Sequence, residues 1–132
     1  MKNKIVTAYL SHPIRGINGA TDEGMLANNK KAIDIGDILT HIFPELKVYV
    51  PGRMDGFLLS QGINPVSVVE GLLTLDCAII GTRDLLLVYN WEGYTSKGMQ
   101  REIDYAIDNE IAMIMFKDIK EAISKISEYI NG

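Results

Sequence analysis

The chain has 132 residues, 47% hydrophobic and 23% charged, a balance expected of one soluble globular domain (1–132) with a core of its own. Its net charge of −4, with no Lys/Arg cluster, argues against a nucleic-acid polymer as partner, though a single small nucleotide needs only one or two well-placed cations. The single cysteine, Cys77, excludes an internal disulfide, and no apolar run is long enough to span a bilayer, so a cytoplasmic protein away from membranes is expected.

The N-terminus, MKNKIVTAYL, leads into a strand pattern instead of a signal peptide, with residues 4–10 β-branched and aromatic enough for a buried strand. After the loop SHPIRGINGA, Thr21 is placed to N-cap a helix over roughly Asp22 to Phe43. Met25, Ala32, Ile35, Leu39 and Ile42 give that helix an apolar face, and Pro44 ends it. Residues 46–50 (LKVYV) read as a second strand. The glycine-rich PGRMDGFLLSQGIN that follows reads as a long functional or mobile loop with room for a short helix.

Asn64-Pro65 is a strong helix start, predicting a helix to about Ile80 that stops at Gly81. LLLVYN (85–90) has the continuous apolar character of a central parallel strand. The loop WEGYT, a helix containing Glu102, a buried strand over 111–116 and a closing helix over 118–130 complete the chain. Strands alternating with helices predict an α/β fold: a mostly parallel, doubly wound sheet of four to five strands with helices on both faces. Ligands bind such sheets at the carboxyl ends of the strands, which selects the loops after Leu10, Val50 and Asn90.

Several residues near those loops have chemistry to offer. Asp76 falls in line with Val69, Leu72, Leu73 and Ile80 on an apolar helical stripe, where a carboxylate is costly unless it is paired, hydrogen-bonded or protonated. It stands either at the stripe's edge, capping a neighbour or meeting Arg83, or at the mouth of a site. Asp84, just before a strand, suits a structural role in a helix-to-strand connection. Glu102 borders the apolar face marked by Gly98, Met99 and Ala106; an acid early in a helix is also favoured by the macrodipole alone.

Arg15 and Gly16 in the first loop suit an anion such as phosphate, and equally an ordinary surface arginine. Ser96 and Gly98, ahead of the Glu102 helix, offer a hydroxyl and free N–H groups to phosphate, or simply cap the helix. Trp91 is placed to stack on a base or to pack. His12 reads as a loop residue, and Met99, Met113 and Met115 as core. No Walker loop, dinucleotide fingerprint, Ser-His-Asp arrangement or metal cluster is apparent.

Three blocks in order resemble the nucleoside 2-deoxyribosyltransferase superfamily, including its deoxynucleoside 5′-monophosphate N-glycosidase branch. YLSHPIRG resembles that family's first strand and loop. DCAIIGTRDLLLVYN resembles its helix-then-strand block with two aspartates eight residues apart, here Asp76 and Asp84. SKGMQREIDYA resembles the small-residue segment ending in Glu-x-x-x-Ala, whose glutamate is the nucleophile. The resemblance spans residues 5–115, with Pro13 standing where the hydrolase branch has a serine.

Carried over by position, the resemblance implies a flavodoxin-like or Rossmann-like fold in which Glu102 attacks the anomeric carbon and Tyr9 orients it. Asp76 acts near the leaving base or holds sugar hydroxyls, while Arg15, Gly16, Ser96 and Gly98 receive a 5′-phosphate. The expected activity is cleavage of the N-glycosidic bond of a (deoxy)nucleoside or its 5′-monophosphate, by hydrolysis or base exchange, without cofactor or metal. A homodimer or larger homo-oligomer is implied too. The rivals are a non-catalytic nucleotide-binding or signalling domain on the same scaffold, which needs the phosphate loops but not Glu102, and an α/β interaction module whose acids are all structural.

Overall fold

Among the described residues four short runs rich in apolar and β-branched residues form strands: β1 (Val6–Ser11), β2 (Leu46–Tyr49), β3 (Leu85–Tyr89) and β4 (Ala112–Phe116). All pair in parallel, in the order β2-β1-β3-β4. The structure, a computed structural model, describes residues 4–14, 21–63, 69–93 and 95–132. Among the described residues five helices cover the sheet: α1 (Asp22–Ile42), α2 (Pro51–Ser60), α3 (Val69–Ile80), α4 (Lys97–Asp108) and α5 (Ile119–Asn131).

Strand alternation divides the core into two layers. Ala8, Leu10, Leu85, Leu87 and Tyr89 point to one face and pack with Ala32, Ile35 and Leu39 of α1 and Ala122 and Ile126 of α5. Tyr9, Leu86 and Val88 point to the other, against Ile80 of α3 and Met99, Ile103 and Ala106 of α4. This is the expected doubly wound α/β fold. The chain moves outward from β1 to β2 and then returns to β3 on the far side of β1. The order therefore reverses between β1 and β3, the crevice where ligands bind in such sheets.

The Thr21 cap forms as expected, its Oγ1 accepting the Gly24 N–H at 3.0 Å. Ile42 departs from expectation: it is 41% exposed, because Phe43, four residues after the buried Leu39, takes the inward place. The 51–64 segment also differs, since ten of its residues are helical. Pro51 opens α2, where a missing N–H costs nothing. Gly62 ends it in the left-handed region (φ 75°), with the Ile63 N–H returning to Leu58 O at 2.9 Å. Two glycines inside a helix are tolerated when both ends are closed this way.

Asn64 and Pro65 lie outside the described residues, and α3 is described from Val69. Asp84 is structural, as expected. Its Oδ2 accepts from the Thr7 N–H at 2.9 Å and the Thr7 hydroxyl at 3.2 Å, while its own N–H donates to Thr7 O at 2.9 Å. This clasp sets the register of β3 on β1.

Candidate active site

The site is built where β1 meets α4. Tyr9 and Ser11, two residues apart on a strand, point to the same face. On α4, Met99, Glu102, Ile103 and Ala106 recur at the spacing of one helical face and are all buried. Glu102 is therefore carried inward with its apolar neighbours, 5% exposed, and pressed against β1. Both its oxygens are held: the Tyr9 hydroxyl donates to Oε2, and the Ser11 hydroxyl donates to Oε1 at 2.7 Å.

Burial pushes the Glu102 carboxyl up to about 7; the Tyr9 and Ser11 hydrogen bonds pull the other way, and the nearby charge of Asp76 adds to the rise. The Tyr9 phenol is held well above its ordinary value, first by burial, then by the charges of Glu102 and Asp76, so it remains a donor. Asp76 on α3 is 8% exposed, close enough for its charge to act on Tyr9, Glu102 and Cys77. The Cys77 thiol is raised by burial and then by Glu102, which keeps it protonated.

Tyr9, Asp76 and Glu102, singled out from the sequence, are thus brought together. The other positions fare differently. Ser96 is the N-cap of α4, its Oγ accepting the Met99 N–H at 3.2 Å. Gly98 stands inside the first turn of α4 and not ahead of it, since the helix begins at Lys97. A Cβ there would meet nothing nearer than Leu73 Cδ2 at 3.5 Å, so no close approach demands glycine. Arg15 and Gly16 lie outside the described residues. Trp91 packs on the opposite layer, edge-on to Tyr89 at 4.6 Å between centroids, with Lys31 Nζ 4.6 Å from its ring centroid. It is a packing residue of that layer, apart from Glu102.

Three polar residues were missed. Ser11 had a readable signal, its two-residue spacing from Tyr9. His12 lies in the loop after β1, as expected, but is buried there: it is 3% exposed, with Nδ1 3.0 Å from Pro13 O and Nε2 without a partner among the described residues. Burial lowers it to about 4, keeping it neutral. Asn90, just past β3, buries an amide oxygen that no group among the described residues satisfies.

Among the described residues no group of three or more His, Cys, Asp or Glu side chains is gathered to hold a metal ion, and no helix is long and apolar enough to cross a membrane. Comparison with protein-family models, curated proteins and solved structures finds no match to this chain.

Proposed function

We propose that the protein cleaves the N-glycosidic bond of a nucleoside or nucleoside 5′-monophosphate, with Glu102 as nucleophile. One observation carries this reading: a buried carboxylate, oriented through both oxygens by Tyr9 and Ser11, at the reversal point of a parallel sheet with a second buried acid beside it. A structural acid gains little from such a place, whereas a carboxylate shifted to about 7 and fixed in direction suits attack on a cationic centre.

In the first step the C–N bond breaks and its electron pair leaves with the base. The Glu102 carboxylate stabilises the oxocarbenium-like state and bonds to the anomeric carbon as a glycosyl ester. Asp76, acting at the leaving base, relays to it a proton drawn from solvent, which the water's proton later replaces; such help is worth on the order of 10²–10⁴-fold. Water then attacks the same carbon, the ester bond breaks and Glu102 leaves as carboxylate, with the water's proton passing to solvent. A second base in place of water gives exchange. The Tyr9 and Ser11 hydrogen bonds favour the ionised form of Glu102 and so assist both its release and its renewed attack. The family resemblance adds a homo-oligomeric state, which sedimentation would measure.

The test is incubation with a panel of nucleosides and deoxynucleosides and their monophosphates, reading free base by chromatography. Base release by the wild type that vanishes in Glu102→Ala supports the proposal. Undiminished release in Glu102→Ala overturns the mechanism. Ligand binding without release in the wild type favours a non-catalytic nucleotide-binding domain.

A further inference from the structure

Asn90 follows the last residue of β3, yet its N–H still donates to Phe116 O at 2.9 Å, so the ladder with β4 extends one residue past the strand. Alternation along β3 puts Leu86 and Val88 on the Glu102 face, and Asn90 continues that series. Val88 is the register partner of Ser11, which holds Glu102. Asn90 therefore stands one pleat repeat, roughly 7 Å, beyond that partner toward the carboxyl edge. Its Oδ1 is buried and has no hydrogen-bond partner among the described residues. A buried amide oxygen without a partner is costly, and a ligand hydroxyl is a group that can complete it.

We infer that Asn90 is a substrate-positioning residue whose amide receives a ring hydroxyl of the pentose held at Glu102. This rests on the glycosidase reading. The anomeric carbon must come within about 3.5 Å of the Glu102 carboxylate, and the ring hydroxyls are the polar groups next nearest to that carbon. A neutral amide, partly buried, matches a neutral hydroxyl; a phosphate would call for a cation or a helix N-terminus. Asn90 thus sets sugar orientation, and with it discrimination between pentoses that carry the hydroxyl and those that lack it.

The experiment crosses two changes, Asn90→Ala in the protein and stepwise loss of the ring hydroxyls in the substrate (ribo-, then 2′-deoxy-, then 2′,3′-dideoxynucleosides). Asn90→Ala is expected to lower kcat/KM about 10-fold for the hydroxylated substrate and to leave the dideoxy substrate nearly unchanged. Asn90→Ser, which keeps a polar partner, should recover part of the loss. Because Asn90→Ala removes an unsatisfied group, its melting temperature should equal or exceed the wild type's, so a fall in activity is not a folding defect. Equal effects on all substrates, or none, overturn the proposal. The same crossing is read by calorimetric binding to Glu102→Gln protein, where no turnover is needed. Absence of base release by wild type, with Asn90-dependent binding of the hydroxylated ligand, refutes the glycosidase reading alone; absence of binding refutes both.

Discussion

Tyr9 on β1 and Glu102 on α4 are joined by a hydrogen bond between two side chains hidden from solvent, across 93 residues of chain. The bond favours the ionised carboxylate while burial opposes it, and burial prevails. If attack requires the ionised form, base release should rise with pH through about 7. Tyr9→Phe removes a bond that lowers the Glu102 value, so the rising limb should move to higher pH and the rate at pH 7 should fall roughly 10-fold. A pH–rate profile of both proteins checks this; an unmoved limb would detach Tyr9 from the titration.

Replacing Glu102 should separate activity from stability. Glu102→Gln is expected to lose at least about 10³-fold in base release, measured by single-turnover chromatography. It should also be more stable than the wild type at pH 8. Ionising a carboxyl whose folded value is about 7, against an ordinary 4.5, costs on the order of 3 kcal/mol. A glutamine that can accept from only one hydroxyl gives back part of that gain. Urea unfolding at pH 8 measures the balance.

The same group makes a prediction about acid. The Glu102 value is raised on folding, so its contribution is fully present below about 4.5 and is lost as pH rises through about 7. His12 has the opposite sign: its value falls from 6.5 to about 4, so its neutral burial favours the fold above 6.5, and that contribution is lost as pH falls through about 4. The two windows nearly coincide and the slopes oppose each other. Wild-type stability should change little from these groups between pH 4.5 and 6.5. Glu102→Gln should unmask stability that rises with pH, and His12→Phe stability that falls. Chemical denaturation at several pH values reads the slopes.

Glu110 offers a stability test remote from the site. It sits in the left-handed region (φ 57°) after α4, where the Ile111 N–H returns to Ala106 O at 2.8 Å and its own N–H to Ile107 O at 3.2 Å. That position ordinarily belongs to glycine. Glu110→Gly should raise stability by roughly 1 kcal/mol in thermal unfolding, with base release unchanged.

The fold was legible because its apolar runs and caps agree. LLLVYN reads as a central strand and is one, and Thr21 caps the helix its position announces. The 51–64 segment was harder to read because glycines at 52 and 56 mask a helix defined by its ends. At the site, Asp76 and Glu102 stood out as acids on apolar faces, a signal that needs only helical periodicity. Ser11 required taking strand alternation to the last residue of β1. The unpartnered atoms of His12 and Asn90 depend on which groups approach from elsewhere, something no local pattern encodes.

The central position of β1 also bears on how the molecule comes together. Its two neighbours are β2 and β3, and the Asp84–Thr7 clasp closes a span of 77 residues. Such long-range pairing slows folding, because a large loop must be closed before the contacts that stabilise it exist. Until β3 is made, β1 presents an unpaired edge, with Tyr9 and Ser11 waiting for a carboxylate that emerges later still from the ribosome. The Glu102 cluster draws on both β1 and α4, so no amino-terminal fragment ending before α4 can hold even a weakened version of it.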